Sequence, residues 1–255
     1  MNNELILTKK EFKKIMEVIK YASKEEWRPI LKCVNFKDNK VVALDGHRMA
    51  VRYLNTKLDT DVNILSSDLK YVLKFITKDI KVIKIKFDTL NTVFNLMDKN
   101  HSILETININ NVGGDYIDYE SLGCDNINTH ASIEFNKSCS IKDIISYLKT
   151  LDRRGKAIKL TLTNKGLEIQ QDISYIYRQI WGDKTCFNCK CNYDFENLGN
   201  FEIAVDFLYL KDMLQNYTKD NESKLCFNTR VTPIKIENQY GYEIVLPIRY
   251  LKKNF

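Results

Sequence analysis

The segment NKVVALDGHRMAVRYL, Asn39 to Leu54, sets an Asp, a Gly, a His and an Arg between two apolar runs. Asp45-Gly46-His47-Arg48 has residue types for three kinds of chemistry. An Asp beside a His suits a general-base pair. Asp and His together are metal donors. Asp-Gly is a strong turn dipeptide. The general-base reading meets a geometric objection: neighbours on a strand point to opposite faces, so adjacency in sequence does not align a carboxylate with an imidazole. The chain has no Gly-x-Ser-x-Gly elbow, phosphate-cradling loop or His-Glu-x-x-His helix to complete a site. Catalysis needs several convergent groups. No catalytic residue is assigned, and the chain reads as a non-enzyme.

The run CFNCKC offers Cys186, Cys189 and Cys191 as the second candidate. Cys-x-x-Cys is half of a zinc knuckle, and a structural site needs four ligands. The matching pair is absent, because Cys124, Cys139 and Cys226 stand singly and His47, His101 and His130 are scattered. The better-supported reading is structural cysteine packed as a small apolar residue. No metal and no cofactor is expected. Seven cysteines, an odd number, with no secretion signal, argue against a disulfide framework. The third candidate is YEIVLPIRYLKKNF at the C-terminus. Pro247 removes a ladder hydrogen bond and places this apolar strand at an edge, which suits docking.

The elements that must position these residues follow from periodicity. LTKKEFKKIMEVIKYAS carries Phe12, Ile15, Met16, Ile19 and Ala22 at helical spacing, with Thr8 as N-cap. Strands follow through Leu54, with a turn at Asp38-Asn39. SSDLKYVLKFI is a second helix on Leu69, Val72, Leu73 and Ile76. Alternating strands run through IKVIKIKFDTLNTVFNLMD and SILETINI. The plan then restarts. CSIKDIISYLKTLD is a helix on Ile141, Ile144, Ile145 and Leu148, followed by strands in AIKLTLTNKGLEIQQDISYIYRQI. VDFLYLKDMLQNY is a helix on Phe207, Leu210, Met213, Leu214 and Tyr217. KLCFNTRVTPIKIEN and YGYEIVLPIRYL close the chain as strands. The class is α+β, in two copies of one unit, residues 1–125 and 126–255.

The 255 residues are 44% hydrophobic and 28% charged, an ordinary globular mixture. No apolar run approaches the roughly 18 residues of a membrane span, and the N-terminus has no signal-peptide core. The expected location is cytoplasmic, with no membrane partner. The net charge of +6 is compatible with a polyanion. Basic residues gather opposite the apolar stripes: Lys10, Lys13, Lys14, Lys20 and Lys24 on the first helix, and Lys70, Lys74 and Lys78 on the second. The third has Lys142 and Lys149, running into Arg153. Such a run is commonly only a solvated face. Three of four helices biased alike point to a shared anionic partner.

Several stretches carry a family resemblance. RPILKCVNFKDNKVVALDGHRMAV resembles a segment in the middle domain of the bacterial DNA polymerase III beta subunit, the sliding clamp, which ends in Thr-Asp-Gly-His-Arg-Leu-Ala. VGGDYIDYESL resembles its Gly-x-Phe-Pro-Asp-Tyr element. FEIAVDFLYLKDML is similar to the final domain's second helix with its lead-in. VTPIKIEN and IVLPIRY are similar to its Ser-Pro-(Val/Leu)-x-Ile and C-terminal Val-Met-Pro-(Met/Val)-Arg-Leu runs. These stand in family order over most of the chain. The resemblance implies two tandem DNA-clamp domains, each with two helices packed on antiparallel sheets. The family's first domain has no counterpart, with Leu5 already in the opening helix of the middle domain. Pro29-Ile30 replaces a tyrosine pair, Leu44 a Thr, and Ile117 a Pro. Leu251 to Phe255 extend past the usual end.

The resemblance implies a processivity factor that encircles duplex DNA without sequence preference. It would dock a replicative polymerase and a clamp loader by short peptide motifs. Two-domain chains would close a six-domain ring as a homotrimer. By matching position, the peptide pocket uses Arg28, Leu31, Leu44, Gly46, His47, Arg48 and Met49, with Ile117 and Leu122 on another wall. Val231, Pro233, Ile244, Val245, Leu246, Pro247, Ile248 and Arg249 complete it. The competing reading is a clamp-fold interaction protein, a decoy or adaptor for such peptides, that forms no ring.

Overall fold

In the computed structural model, residues 3–121, 128–135, 140–173, 180–218 and 223–248 are described. The chain divides into two compact units, Met1–Tyr119 and Glu120–Phe255. Unit 1 runs β1 (Glu4–Thr8), α1 (Lys9–Ile15), a 3-10 helix (Met16–Tyr21), a 3-10 turn (Pro29–Lys32), β2 (Cys33–Lys37), β3 (Lys40–Leu44), β4 (Arg48–Tyr53) and β5 (Asp61–Leu65). It closes with α2 (Ser66–Lys74), β6 (Val82–Phe87), β7 (Asn91–Met97) and β8 (Ile103–Asn110). Its strands pair in the orders β1-β6-β7-β8 and β4-β3-β2-β5.

Leu5 does not begin a helix. ELILT alternates, with Leu5 and Leu7 buried and Glu4, Ile6 and Thr8 exposed. This period of two makes it a strand, which pairs antiparallel with β6. The helix starts after Thr8, whose hydroxyl accepts from the Glu11 backbone N–H at 3.3 Å, while the Glu11 carboxylate accepts from the Thr8 N–H at 2.8 Å. This reciprocal box satisfies two of the orphan donors at a helix start. The same helix tightens to 3-10 at Met16. From Ile15 the sequence repeats apolar-apolar-polar as Ile-Met-Glu, Val-Ile-Lys, Tyr-Ala-Ser. A period of three fits the three residues per turn of a 3-10 helix. It buries Ile15, Met16, Val18, Ile19, Tyr21 and Ala22 together.

Unit 2 runs β9 (Ala131–Glu134), α3 (Ile141–Leu148), β10 (Ala157–Thr163), β11 (Gly166–Gln171), β12 (Thr185–Phe187), β13 (Lys190–Asn192), a one-turn α4 (Phe195–Leu198) and β14 (Phe201–Asp206). Then come α5 (Phe207–Gln215), β15 (Lys224–Phe227), β16 (Ile234–Asn238) and β17 (Gly241–Val245). Its strands pair in the orders β9-β15-β16-β17 and β12-β11-β10-β14, with β13 added beside β9. Set against unit 1, strand for strand, this is the same connectivity: β9 takes the place of β1, β12 of β4 and β17 of β8.

The units have separate cores. In unit 1, Phe36 of β2 meets Phe87 of β6 at 5.3 Å, joining the two sheets, and Phe12 of α1 stands edge-on to Phe94 at 6.3 Å. In unit 2, Phe201 of β14 meets Phe227 of β15 at 5.6 Å, again joining two sheets. Such aromatic pairs contribute roughly 0.5–1.5 kcal/mol each beyond their burial. β14 passes straight into α5, where the Asp206 carboxylate accepts from the Leu208 N–H at 2.8 Å as N-cap.

Candidate functional site

The Asp45 turn joins β3 to β4. Gly46 sits at φ 88, the left-handed conformation that favours glycine. Asp45 Oδ1 accepts from the backbone N–H of His47 at 3.0 Å and of Arg48 at 3.1 Å. Asp45 Oδ2 accepts from Arg48 Nε at 2.9 Å. The guanidinium also donates through Nη2 to the Lys20 carbonyl at 2.9 Å and lies 5.0 Å over the Tyr21 ring. Both oxygens of Asp45 are thus engaged by the turn and by Arg48. The motif is a braced hairpin tip tied to the 3-10 helix, and the imidazole of His47 is carried outward, exposed.

Around this tip, unit 1 gathers several of the sequence-derived pocket residues. The segment after β8 crosses the second sheet: Val112 bridges to Asn63, and Asn63 Nδ2 donates to the Gly114 carbonyl at 2.8 Å. It delivers Tyr116, whose phenol donates to the Cys33 carbonyl at 3.4 Å and is hydrogen-bonded by the backbone of Leu44. Burial pushes the Tyr116 phenol up from its ordinary range. Burial, and then the charge of Asp68, pushes the Cys33 thiol up to about 11. Ile117, next in sequence, is exposed. Leu31, Leu44 and Met49 are buried. Arg28 is exposed and lies 4.1 Å over the ring of Trp27, which is itself 66% exposed. The pocket read from the sequence omits Trp27, Asp45 and Tyr116. The Asp-x-x-Arg spacing across a turn is the available signal for Asp45.

In unit 2, Val231 is exposed at the β15–β16 connection, where the Thr229 N–H donates to Thr232 Oγ1 at 2.8 Å, and Pro233 follows. Ile244 and Val245 are buried in β17. The strand ends there. Leu246 is exposed, Pro247 and Ile248 are half-buried, and the Ile248 N–H donates to the Ala204 carbonyl of β14 at 2.7 Å. Pro247 therefore lies beyond the ladder, where its missing N–H costs nothing. Leu122 and Arg249 lie outside the described residues.

The basic candidates are nearly all exposed: Lys10, Lys13, Lys20, Lys24, Lys70, Lys74, Lys78, Lys142, Lys149 and Arg153. Lys14 is half-buried and pairs with Glu17 at 3.3 Å; Glu17 also meets the buried Arg52 at 3.4 Å. Its charge is largely answered within the fold. Lysines are not confined to helices, since Lys84 and Lys86 lie on β6, Lys84 paired with Glu4 at 2.8 Å.

The cysteine run departs from expectation at one position. Cys189 is buried and disulfide-bonded, while Cys33, Cys186, Cys191 and Cys226 are free thiols. Among the described residues no group of three His, Cys, Asp or Glu is gathered as a metal cage. No helix among them is long and apolar enough to cross a membrane.

Neither a protein-family model nor a curated protein matches the sequence. Solved structures do match. The beta subunit of DNA polymerase from Streptococcus pyogenes superposes with a TM-score of 0.78 at 22% identity, over 98% of this chain and 67% of that one. The fold is that of a bacterial DNA sliding clamp. A sliding clamp from Bartonella birtlesii, bound to griselimycin, gives a TM-score of 0.78 at 18% identity, over 97% of this chain and 66% of that one. The sliding clamp from Bacillus subtilis gives 0.76 at 18% identity, over 98% and 65%. The chain thus spans about two thirds of the length of these clamps. Clamp folds repeat one domain, and the matched strand orders of units 1 and 2 are that repeat within this chain.

Proposed function

We propose that this chain is a DNA sliding clamp: a processivity factor, with no chemistry of its own, whose copies close into a ring around duplex DNA. Three copies of a two-unit chain supply six clamp repeats, and a head-to-tail contact closes a ring when its rotation allows. The observation that carries the reading is the clamp fold with exposed lysines on α1, α2 and α3, led by Lys10, Lys13, Lys70, Lys74, Lys142 and Lys149. Lysine ammonium groups meeting phosphates hold DNA without reading bases, which suits a protein that must slide. The exposed apolar groups Ile117, Val231 and Leu246, with His47 and Arg28, support docking of short polymerase and loader peptides.

Light scattering at micromolar concentration tests the assembly, and a trimer is expected. A stable monomer would favour the adaptor reading, in which the fold and peptide surface serve without a ring. The DNA reading is tested by replacing Lys10, Lys13 and Lys70 with Glu. Affinity for linear duplex should fall alike on every sequence, and the log–log salt slope should shrink by about 0.9 for each phosphate no longer neutralised. Wild-type affinity at low salt would reduce these lysines to a solubilising surface.

A further inference from the structure

β11 ends in two buried glutamines, Gln170 and Gln171, which as strand neighbours point to opposite faces. Gln170 Nε2 donates to the Gly182 carbonyl at 3.0 Å. Gln171 turns to the loop after α3, Leu151 to Lys156. Its Nε2 donates to the Asp152 carbonyl at 2.5 Å and to the Gly155 carbonyl at 2.6 Å, and its Oε1 accepts from the Asp152 N–H at 3.2 Å. One side chain, 8% exposed, thus holds three backbone groups of a single loop. The far end of the loop is fixed as well. The Lys156 carbonyl accepts from the Phe207 N–H at 3.0 Å, and Gly155 lies so near the Asp172 carbonyl that a Cβ there would overlap it.

The loop so held carries charge: Arg153, Arg154 and Lys156 are exposed. Arg154 is answered inside the loop. The Asp152 carboxylate accepts from its backbone N–H at 3.0 Å, its Nε at 2.8 Å and its Nη2 at 2.6 Å. Among the described residues, no carboxylate is paired with Arg153. The two arginines are adjacent in sequence and unequal in what they offer. A turn that only reverses the chain can leave its carbonyls to water, and ordering its backbone costs conformational entropy. A buried amide spent on such a turn is explained by what the turn presents.

We infer that Gln171 is a positioning residue for DNA: it fixes the loop so that Arg153, and not Arg154, meets a phosphate. This rests on the DNA reading proposed above and names one contact and its support. The Asp152 carbonyl belongs to the planar peptide that leads into Arg153, so the Gln171 bond to it sets where the Arg153 side chain begins. A guanidinium pairs with phosphate through a fork of two N–H groups, which rewards a fixed base. Order imposed before the ligand arrives is not lost again on binding. Gln171 itself, being buried, acts only through the loop.

Gln171→Met, Arg153→Ala and the double variant test it, by anisotropy of a labelled linear duplex across a salt series. Arg153→Ala should lower the log–log salt slope by about 0.9 for each phosphate this arginine meets, so a fourfold rise in salt costs the variant about 3.5-fold less affinity than it costs wild type. Gln171→Met, with Arg153 in place, should lose at least half as much slope, and the double variant no more than Arg153→Ala alone. A general loosening of unit 2 would instead weaken both backgrounds equally. An unchanged slope in either single variant, or losses that add in the double, overturns the proposal and leaves the lysine contacts standing. Hydrogen exchange of the unaltered protein gives a second test, independent of whether the Met variant folds. The Asp152 amide should be protected, and exchange at the rate of an unstructured peptide overturns the proposal. A wild type with no salt-dependent affinity for duplex overturns the DNA reading itself, and this contact with it.

Discussion

Replacing Asp45 with Ala should loosen unit 1 by an amount that the turn geometry sets. The carboxylate receives two backbone N–H groups, at 3.0 and 3.1 Å, and Arg48 Nε at 2.9 Å. The His47 N–H bond is exposed and the Arg48 N–H bond only part-buried, so water replaces the backbone bonds cheaply, at about 0.5 kcal/mol each. The ion pair is better shielded, with side chains 9% and 13% exposed. A hydrogen bond to a charged group contributes about 1.5 kcal/mol at the low end, which applies because Arg48 keeps the Lys20 carbonyl and the Tyr21 ring. The sum is about 2.5 kcal/mol. Asp45→Asn keeps an oxygen for the backbone donors and should lose only about 1.5 kcal/mol. Native-state hydrogen exchange, followed peptide by peptide against urea, separates the two units. With a slope of roughly 2 kcal/mol per molar, the unit 1 midpoint should fall by about 1.2 M in the Ala variant. Unit 2 should be unchanged, because the cores are separate. An Ala variant within about 0.5 kcal/mol of wild type, or no worse than the Asn variant, would refute the claim that this carboxylate braces the turn.

Four further outcomes are expected. Ile117→Asp and Leu246→Asp, at exposed positions, should each weaken a polymerase-derived peptide by about tenfold or more in a fluorescence titration and leave the fold intact; unchanged affinity would remove these residues from the docking surface. Met49→Asp should instead lower the stability of the fold on thermal unfolding, because Met49 is buried. Iodoacetamide at pH 8 should label exposed Cys186 well before Cys33 and Cys191, whose thiols burial pushes up to about 11; stability they contribute as neutral thiols holds below pH 9 and is lost as pH rises towards 11. Gly166→Ala should destabilise unit 2 sharply on thermal unfolding, because Gly166 sits at φ 131 and an added Cβ would overlap the Phe187 carbonyl.

Much of the scaffold was legible in local pattern. The Asp38-Asn39 turn lies between β2 and β3, Thr8 caps α1, and the helices at Ser66, Ile141 and Phe207 form where apolar spacing placed them. β5, β9 and β14 were not legible; β5 and β14 run without a break into α2 and α5, so no turn marks them off as strands. β1 was hidden because a strand with period two runs directly into a helix. The disulfide at Cys189 escaped because spacing does not reveal partners. The pocket residues show a further limit. Leu44 and Met49 belong to strands buried on both faces, where alternation disappears and contact residues cannot be told from core. The sequence offers Arg48 as a pocket residue but does not show that its guanidinium is engaged by the Asp45 carboxylate and the Lys20 carbonyl.

The first strand of each unit pairs with a strand from the far side of its own sequence: Glu4 with Lys86, and Ala131 with Phe227. During synthesis the hairpins between neighbours, β2–β3–β4 and then β6–β7, close early, because their loops are short. β1 must wait for β6, and β9 for β15. Such long-range closures are slow, since chain entropy is lost before the contact is gained. Leu5 and Leu7 therefore stand unpaired on the nascent chain until most of unit 1 has left the ribosome. This two-leucine strand is the segment that a chaperone would have to shield.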